Sequence, residues 1–271
     1  MEYEIKPAGK FSLGIHELWE FRELFYFFTW RDIKIKYKQA ILGILWAILQ
    51  PLFLMILFSL FFGKALKVPS DNIPYPIFVF SGILIWTIFS TGLANAANSM
   101  VANANIIKKI YFPRLIIPMS SILVALFDFM MSLLVYVGLI IYYNYTIDWT
   151  FILFLPMSIL IVVLTTFGLG TFIAALNIKY RDFRYVVPFF IQILFFLTPV
   201  IYPVSVVGNQ WIQRLLMLNP MAGAIDLLRA SILHVPPDWP LIGINFLISV
   251  CLFVLGVAYF RKTEYYFADL A

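Results

Sequence analysis

Thr91, Asn95, Asn98, Ala102 and Asn105 recur every three or four residues, so a helix carrying them lines up its amides on one face. Amides donate and accept hydrogen bonds but do not carry protons through a reaction. The chemistry such a stripe offers is a seam against another helix or the wall of a polar path. Asp128 is the one carboxylate or base inside any long apolar run of the chain, and it poses the same choice between a structural partner and a role in transport. Asp226 and Arg229, three residues apart, are spaced to pair on one helical face. Groups for bond-making chemistry are not found. There is no G-x-x-x-x-G-K-[ST] phosphate loop and no H-E-x-x-H. His16 and His234 lie far apart, no Cys/His cluster suggests a metal, and no serine has a His/Asp constellation around it. No catalytic residue and no metal site is expected.

The elements that must position these residues are membrane spans. Six long apolar stretches run over about 39–63, 75–101, 115–143, 151–176, 185–202 and 240–260, and a run of about 18 or more apolar residues crosses a bilayer as a helix. The chain is 63% hydrophobic and 12% charged, with mean hydropathy +0.93, which excludes an ordinary soluble domain. The first apolar run follows nearly forty residues that include Glu2 and Glu4, unlike a cleavable signal peptide. The single cysteine, Cys251, excludes an intramolecular disulfide. The expected fold is an all-α integral membrane protein of six transmembrane helices. Residues 1–38 form an amphipathic interface segment, and 39–271 form a single transmembrane domain.

Threading the chain six times through a bilayer puts residues 1–38, 102–114, 177–184 and 261–271 on one side. Fifteen of the nineteen Lys and Arg residues fall there; Lys64, Lys67, Arg214 and Arg229 make up the rest. An excess of Lys and Arg marks the cytoplasmic side, so both termini are expected to be cytoplasmic. The net charge of +5 then reflects orientation rather than nucleic-acid binding.

Residues 16–38 place Glu17, Glu20 and Glu23 on one helical face and Leu18, Phe21, Phe25 and Phe28 on another, with Trp19 and Trp30 as interface anchors. The acidic face is either part of a plain membrane anchor or a place where a partner docks. Pro51 is expected to kink the first span, and Gln50 beside it needs a polar partner. Between spans five and six, WIQRLLML and MAGAIDLLRASIL are too short to cross and are split by Asn219-Pro220, which predicts a re-entrant helical pair over 203–239. In the fifth span Tyr185, Pro188, Gln192, Phe195, Pro199 and Tyr202 recur at three or four residues. Aromatic rings on such a face would stack on sugar C–H surfaces if it lines a path, and would pack against a neighbouring helix if it does not.

Three stretches carry a family resemblance: LGILWAILQP at 42–51, NIKYRDFRYVVPFFIQILFFLTPVIYP at 177–203 followed by Asn219-Pro220, and EYYFADL at 264–270. In order, and with six spans, they resemble the ABC-2 type polysaccharide export permeases, which export O-antigen, teichoic acid or capsule chains. The resemblance implies a homodimer in the bacterial inner membrane, joined by two copies of a separate ATPase that binds ATP and Mg2+. This chain then carries no cofactor of its own, and its cargo is lipid-linked polysaccharide, O-antigen above all. The short basic and aromatic loops become the ATPase contacts, with Lys108, Lys109, Tyr111 and Arg114 in one and Tyr180, Arg181, Asp182 and Arg184 in the other. Asn95, Asn98, Tyr185, Gln192, Phe195 and Tyr202 are the channel-lining candidates, and Asp226 and Arg229 the gate candidates. Rival readings are an ABC-2 permease for a drug, haem or a lipid, and a membrane enzyme, which would need carboxylates or histidines clustered at one interface.

Overall fold

The computed structural model describes residues 15–38, 41–71, 73–180, 182–265 and 267, and every regular element among them is helical. Lipid offers no hydrogen bonds, so a chain this apolar satisfies its backbone within helices. Two helices, α1 (Ile15–Glu20) and α2 (Arg22–Lys38), precede the first span, which begins as a short 3-10 turn at Gly43–Leu45. It continues as α3 (Trp46–Phe58), with Pro51 buried inside it, and ends as a π-helical stretch, Ser59–Ala65. The backbone N–H of Leu66 reaches back to the carbonyl of Phe61 at 2.9 Å, one residue further than an α-helix would.

Three further spans follow the expected boundaries closely: α4 (Tyr75–Ala102), α6 (Ile116–Tyr142) and α7 (Phe151–Lys179), with the single turn α5 (Ala104–Ile107) between the first two. The last span is α11 (Trp239–Glu264). The carboxylate of Asp238 accepts the Leu241 N–H at 3.2 Å at its start, and Pro240 occupies the first turn. Among the described residues, five helices are therefore long and apolar enough to cross a membrane.

The fifth expected span differs. Its helix, α8 (Phe183–Leu197), is 15 residues long, about 22 Å, against a hydrocarbon core of about 30 Å. Helix ends where Thr198, restricted by the proline after it, turns extended with ψ 135°. Pro199–Tyr202 continue as irregular chain. The expected re-entrant pair is present as α9 (Gln210–Met217) and α10 (Pro220–Leu233), bent by 95° at Leu218–Asn219. The Asn219 side chain caps α10 by accepting the Met221 N–H at 3.0 Å.

The core is built around α4, which is buried along most of its length against α6, α7 and α10. The α7–α11 pair approaches closely through two glycines: a Cβ on Gly256 would lie 2.0 Å from the Gly168 carbonyl oxygen. By contrast α3 and α8 present large apolar side chains outward, among them Ile56, Phe189, Phe190 and Ile193. Helix α2 lies against α6, with Phe28 buried and Phe21 and Phe25 half-buried.

The segments that charge grouping separates do gather at opposite ends. At one, Arg31 Nη2 donates to Asn103 Oδ1 at 2.8 Å, Phe28 packs on Phe112 with ring centroids 5.6 Å apart, and the Arg114 N–H meets Glu264 Oε1 at 3.0 Å. At the other, the Tyr75 hydroxyl donates to the Ile201 carbonyl at 2.7 Å and the Tyr145 hydroxyl to that of Ile232 at 3.0 Å. There His234 Nδ1 also sits 2.9 Å from Asp148 Oδ1.

Candidate functional site

Because α3 and α8 stand away from the rest of the bundle, a cleft of about 1000 Å3 opens between them, α4, α6 and the end of α2. Its walls are aromatic, with Trp46 and Phe53 from α3, Trp86 from α4, and Phe195 and Phe196 from α8. Polar groups punctuate it: Gln50, Thr87, Ser90, Thr91, Asp128, Ser132 and Gln192. Thr87 Oγ1 donates to the Leu84 carbonyl at 2.9 Å, and Ser132 Oγ has the Ala47 carbonyl at 3.1 Å and the Asp128 carbonyl at 3.0 Å as acceptors, so both hydroxyl protons are used within the protein. Rings with scattered acceptors and amides suit a substrate that presents C–H faces and hydroxyls, and give no strong charge to hold it in place.

Asp128 does not add such a charge, because it is spent within the protein. Its Oδ2 meets Lys36 Nζ and its Oδ1 accepts the Tyr37 hydroxyl. Burial first, and the carboxylate beside it second, hold the Tyr37 hydroxyl protonated well above the usual tyrosine range, so it remains a donor. The carboxylate thus fastens the C-terminal end of α2 to α6, the structural alternative posed by the sequence, with a tyrosine as one of the partners.

Two of the six channel-lining candidates, Gln192 and Phe195, line the cleft. Phe195 also packs, stacking on Phe58 with centroids 5.7 Å apart and meeting Trp86 edge-on at 5.5 Å. Asn98 forms a seam instead: its Oδ1 accepts from Asn177 Nδ2 at 3.2 Å, and Asn177 also donates to the Ala97 carbonyl at 2.9 Å. Asn95 and Tyr185 are exposed away from the cleft. Tyr202 lies past the end of α8 with its hydroxyl on the Phe196 carbonyl at 3.0 Å, so the expected six-residue face does not continue through it.

At the basic end, the 103–114 loop is anchored by buried Ile107 and Phe112, leaving Lys108, Lys109 and Tyr111 exposed as a tip. Arg114 is not part of that tip. Its guanidinium turns inward to the Glu264 carbonyl and stands 6.0 Å from the centre of the Phe267 ring. Tyr180, Asp182 and Arg184 are exposed, with Lys179 Nζ 5.1 Å from the centre of the Tyr180 ring; Arg181 lies outside the described residues. Glu20 and Glu23 are exposed, and the side chain of Glu17 lies outside the described residues.

The two gate candidates are not joined to each other. Among the described residues there is no Asp226–Arg229 ion pair. Arg229 is buried and donates to the carbonyls of Pro199 and Val200 at 2.7 Å each, to that of Phe78 at 3.1 Å, and to Ser81 Oγ at 3.2 Å. The guanidinium also lies 3.7 Å from the centre of the Phe78 ring. It supplies the donors that the broken helix beyond Thr198 lacks. Sequence reasoning missed this contact and the buried Asn103 that receives Arg31. The signal for the first was Thr198-Pro199 interrupting an apolar run opposite a lone arginine in an apolar helix.

A bundle of long apolar helices with a bent helical pair is the architecture of a multi-pass membrane protein. The chain belongs to the ABC-2 type transporter family, whose model matches residues 23–233. It is 30% identical over 259 residues to the O-antigen export system permease protein RfbA of Myxococcus xanthus, covering 94% of this chain and 98% of that one. It is 29% identical over 242 residues to the protein of the same name from Klebsiella pneumoniae, covering 89% and 92%. The polysialic acid transport protein KpsM of Escherichia coli is 25% identical over 247 residues, covering 86% and 91%.

Proposed function

We propose that this chain is the membrane-spanning subunit of an ATP-driven exporter that moves lipid-linked polysaccharide, O-antigen above all, across the bacterial inner membrane. In this reading two copies assemble with two copies of an ABC ATPase, which supplies the nucleotide site, and both termini face the cytoplasm. The observation that carries it is the likeness, over nearly the whole chain, to permeases named for O-antigen export. The aromatic cleft with its hydroxyls and amides suits a sliding glycan, because rings stack on sugar C–H faces without gripping them. The uncovered faces of α3 and α8 offer apolar surface for a second copy. The exposed Lys108, Lys109 and Tyr111 tip, with Tyr180, Asp182 and Arg184, offers mixed charge and aromatic surface to the ATPase, as protein contacts require.

The test is to purify the chain from its native membrane with an affinity tag, identify co-purifying protein, and analyse bound glycolipid by mass spectrometry. Recovery of an ABC ATPase and a lipid-linked glycan is the expected result. Recovery of the ATPase with a drug, haem or free lipid as cargo would move the chain to another branch of the family.

A further inference from the structure

The outward face of α2 does not match a purely protein-facing helix. Phe27, Trp30, Arg31, Lys34, Ile35 and Lys38 enclose a shallow cleft of about 330 Å3 that α2 alone lines. Its rim is strongly apolar, with Phe27 59% exposed, Trp30 47% and Ile35 69%. Arg31, Lys34 and Lys38 add cations to the lining. Lys34 Nζ stands 5.2 Å from the centre of the Trp30 ring, and Lys38 is exposed one turn further on. Arg31 is already committed to Asp32 Oδ1 at 2.7 Å and to Asn103 Oδ1 at 2.8 Å. Among the described residues neither Lys34 nor Lys38 meets a carboxylate. Both lysines therefore point their charge out of the protein, between large apolar side chains, on the helix that immediately precedes the first span.

We propose that this cleft binds the phosphate of an anionic phospholipid in the leaflet on which α2 lies, with Lys34 and Lys38 as its charge partners and Phe27, Trp30 and Ile35 in contact with the acyl-chain boundary. A basic helix with aromatic residues at a bilayer surface matches a negatively charged headgroup above a hydrocarbon layer, and each lysine near an anionic surface adds attraction. Glu20 at the end of α1 and Glu23 in the first turn of α2 repel such a headgroup, which confines the site to the last three turns of α2. The inference rests on α2 lying along a bilayer surface and not on the identity of the exported cargo.

The full-length chain, expressed in a host that makes no lipid-linked glycan of this type, is reconstituted in nanodiscs of phosphatidylglycerol and phosphatidylcholine and examined by native mass spectrometry for retained lipid. The wild type is expected to retain phosphatidylglycerol over phosphatidylcholine. Lys34→Gln with Lys38→Gln should lower that retention by roughly tenfold or more, while Lys34→Arg with Lys38→Arg should keep it. Lys108→Gln with Lys109→Gln, an exposed lysine pair at the same end of the bundle, should change it by less than about twofold. Equal retention of the two lipids by the wild type, no loss in the glutamine pair, an equal loss in the 108/109 pair, or loss in the arginine pair would each overturn the proposal. None of these readouts requires export, so a failure here leaves the polysaccharide reading standing, and the reverse holds as well.

Discussion

The Tyr37 hydroxyl donates to Asp128 Oδ1, and this bond, with Lys36 on the other carboxylate oxygen, ties the helix before the first span to the middle of α6. Removing the carboxylate leaves a buried hydroxyl without its acceptor and a half-exposed ammonium without its counter-charge. Asp128→Ala is expected to destabilise the protein by roughly 1–3 kcal/mol, read as a lower melting temperature in detergent. Lys36→Met should weaken it less, and the double variant should fall short of the sum, as a double-mutant cycle on a true pair does. Strict additivity would show that the two groups act independently.

Arg229 makes the sharpest demand on its neighbours, because four acceptors on two segments share one guanidinium. Arg229→Gln should cost about 3 kcal/mol or more by leaving the Pro199 and Val200 carbonyls unpaired. Arg229→Lys should rescue only part of this, since an ammonium cannot spread its donors as a planar fork does. Melting temperature measures the loss. If Asp226→Asn matched the effect of Arg229→Gln, a direct Asp226–Arg229 pairing would have to be reinstated.

The α7–α11 contact tolerates no side chain at its crossing. Gly256→Ala places a methyl on the Gly168 carbonyl, and Gly168→Ala places one 2.4 Å from the Leu252 backbone carbonyl. Each is expected to lower stability by about 1–3 kcal/mol through backbone displacement. Gly138→Ala and Gly243→Ala meet nothing within 4 Å and lie inside helices, so they should be neutral or stabilise by roughly 0.5–1 kcal/mol. Thermal unfolding of the four variants separates the two classes.

Energy coupling predicts a division between tip and anchor. Lys109→Glu with Asp182→Arg should reduce export and ATPase co-purification while leaving the melting temperature within about a degree or two, because surface substitutions usually change stability by less than 0.5 kcal/mol. Arg114→Ala should instead lower stability, because its guanidinium holds the end of α11. The purified chain by itself should hydrolyse no ATP. Hydrolysis by a homogeneous preparation would refute the assignment of the nucleotide site to a partner.

Orientation is open to direct labelling. In a Cys251→Ser background, a cysteine at Gly208, where a Cβ meets nothing within 4 Å, should react with an impermeant thiol reagent from outside the cell. One at Lys109 should react only after the membrane is opened. The opposite pattern would invert the charge-based topology.

The spans α4, α6, α7 and α11 were legible in the sequence because hydrophobic length alone sets them, and no tertiary contact is needed to read it. The bend at Asn219 was legible from the Asn-Pro pair. The end of α8 was harder: residues 185–202 remain apolar throughout, and the break depends on Pro199 restricting Thr198, a local backbone effect that hydropathy ignores. Periodicity likewise grouped Phe195 with Tyr202, although a helical repeat has no meaning beyond the last helical residue. Arg229 escaped because three of its four acceptors are main-chain carbonyls, which leave no trace in side-chain spacing. Arg114 was read as a tip residue because its partner, Glu264, lies at the far end of the chain.

The π-helical stretch at Ser59–Ala65 holds about one residue more than an α-helix of the same rise would. Deleting a single residue from a span ordinarily turns everything beyond it by a quarter-circle or more and scrambles which side chains meet lipid. Here the loss of one residue would be absorbed by tightening the wide turn to α geometry, leaving Trp46–Phe58 and the chain after Val68 facing as before. A chain one residue shorter at this point would therefore keep the same arrangement of spans.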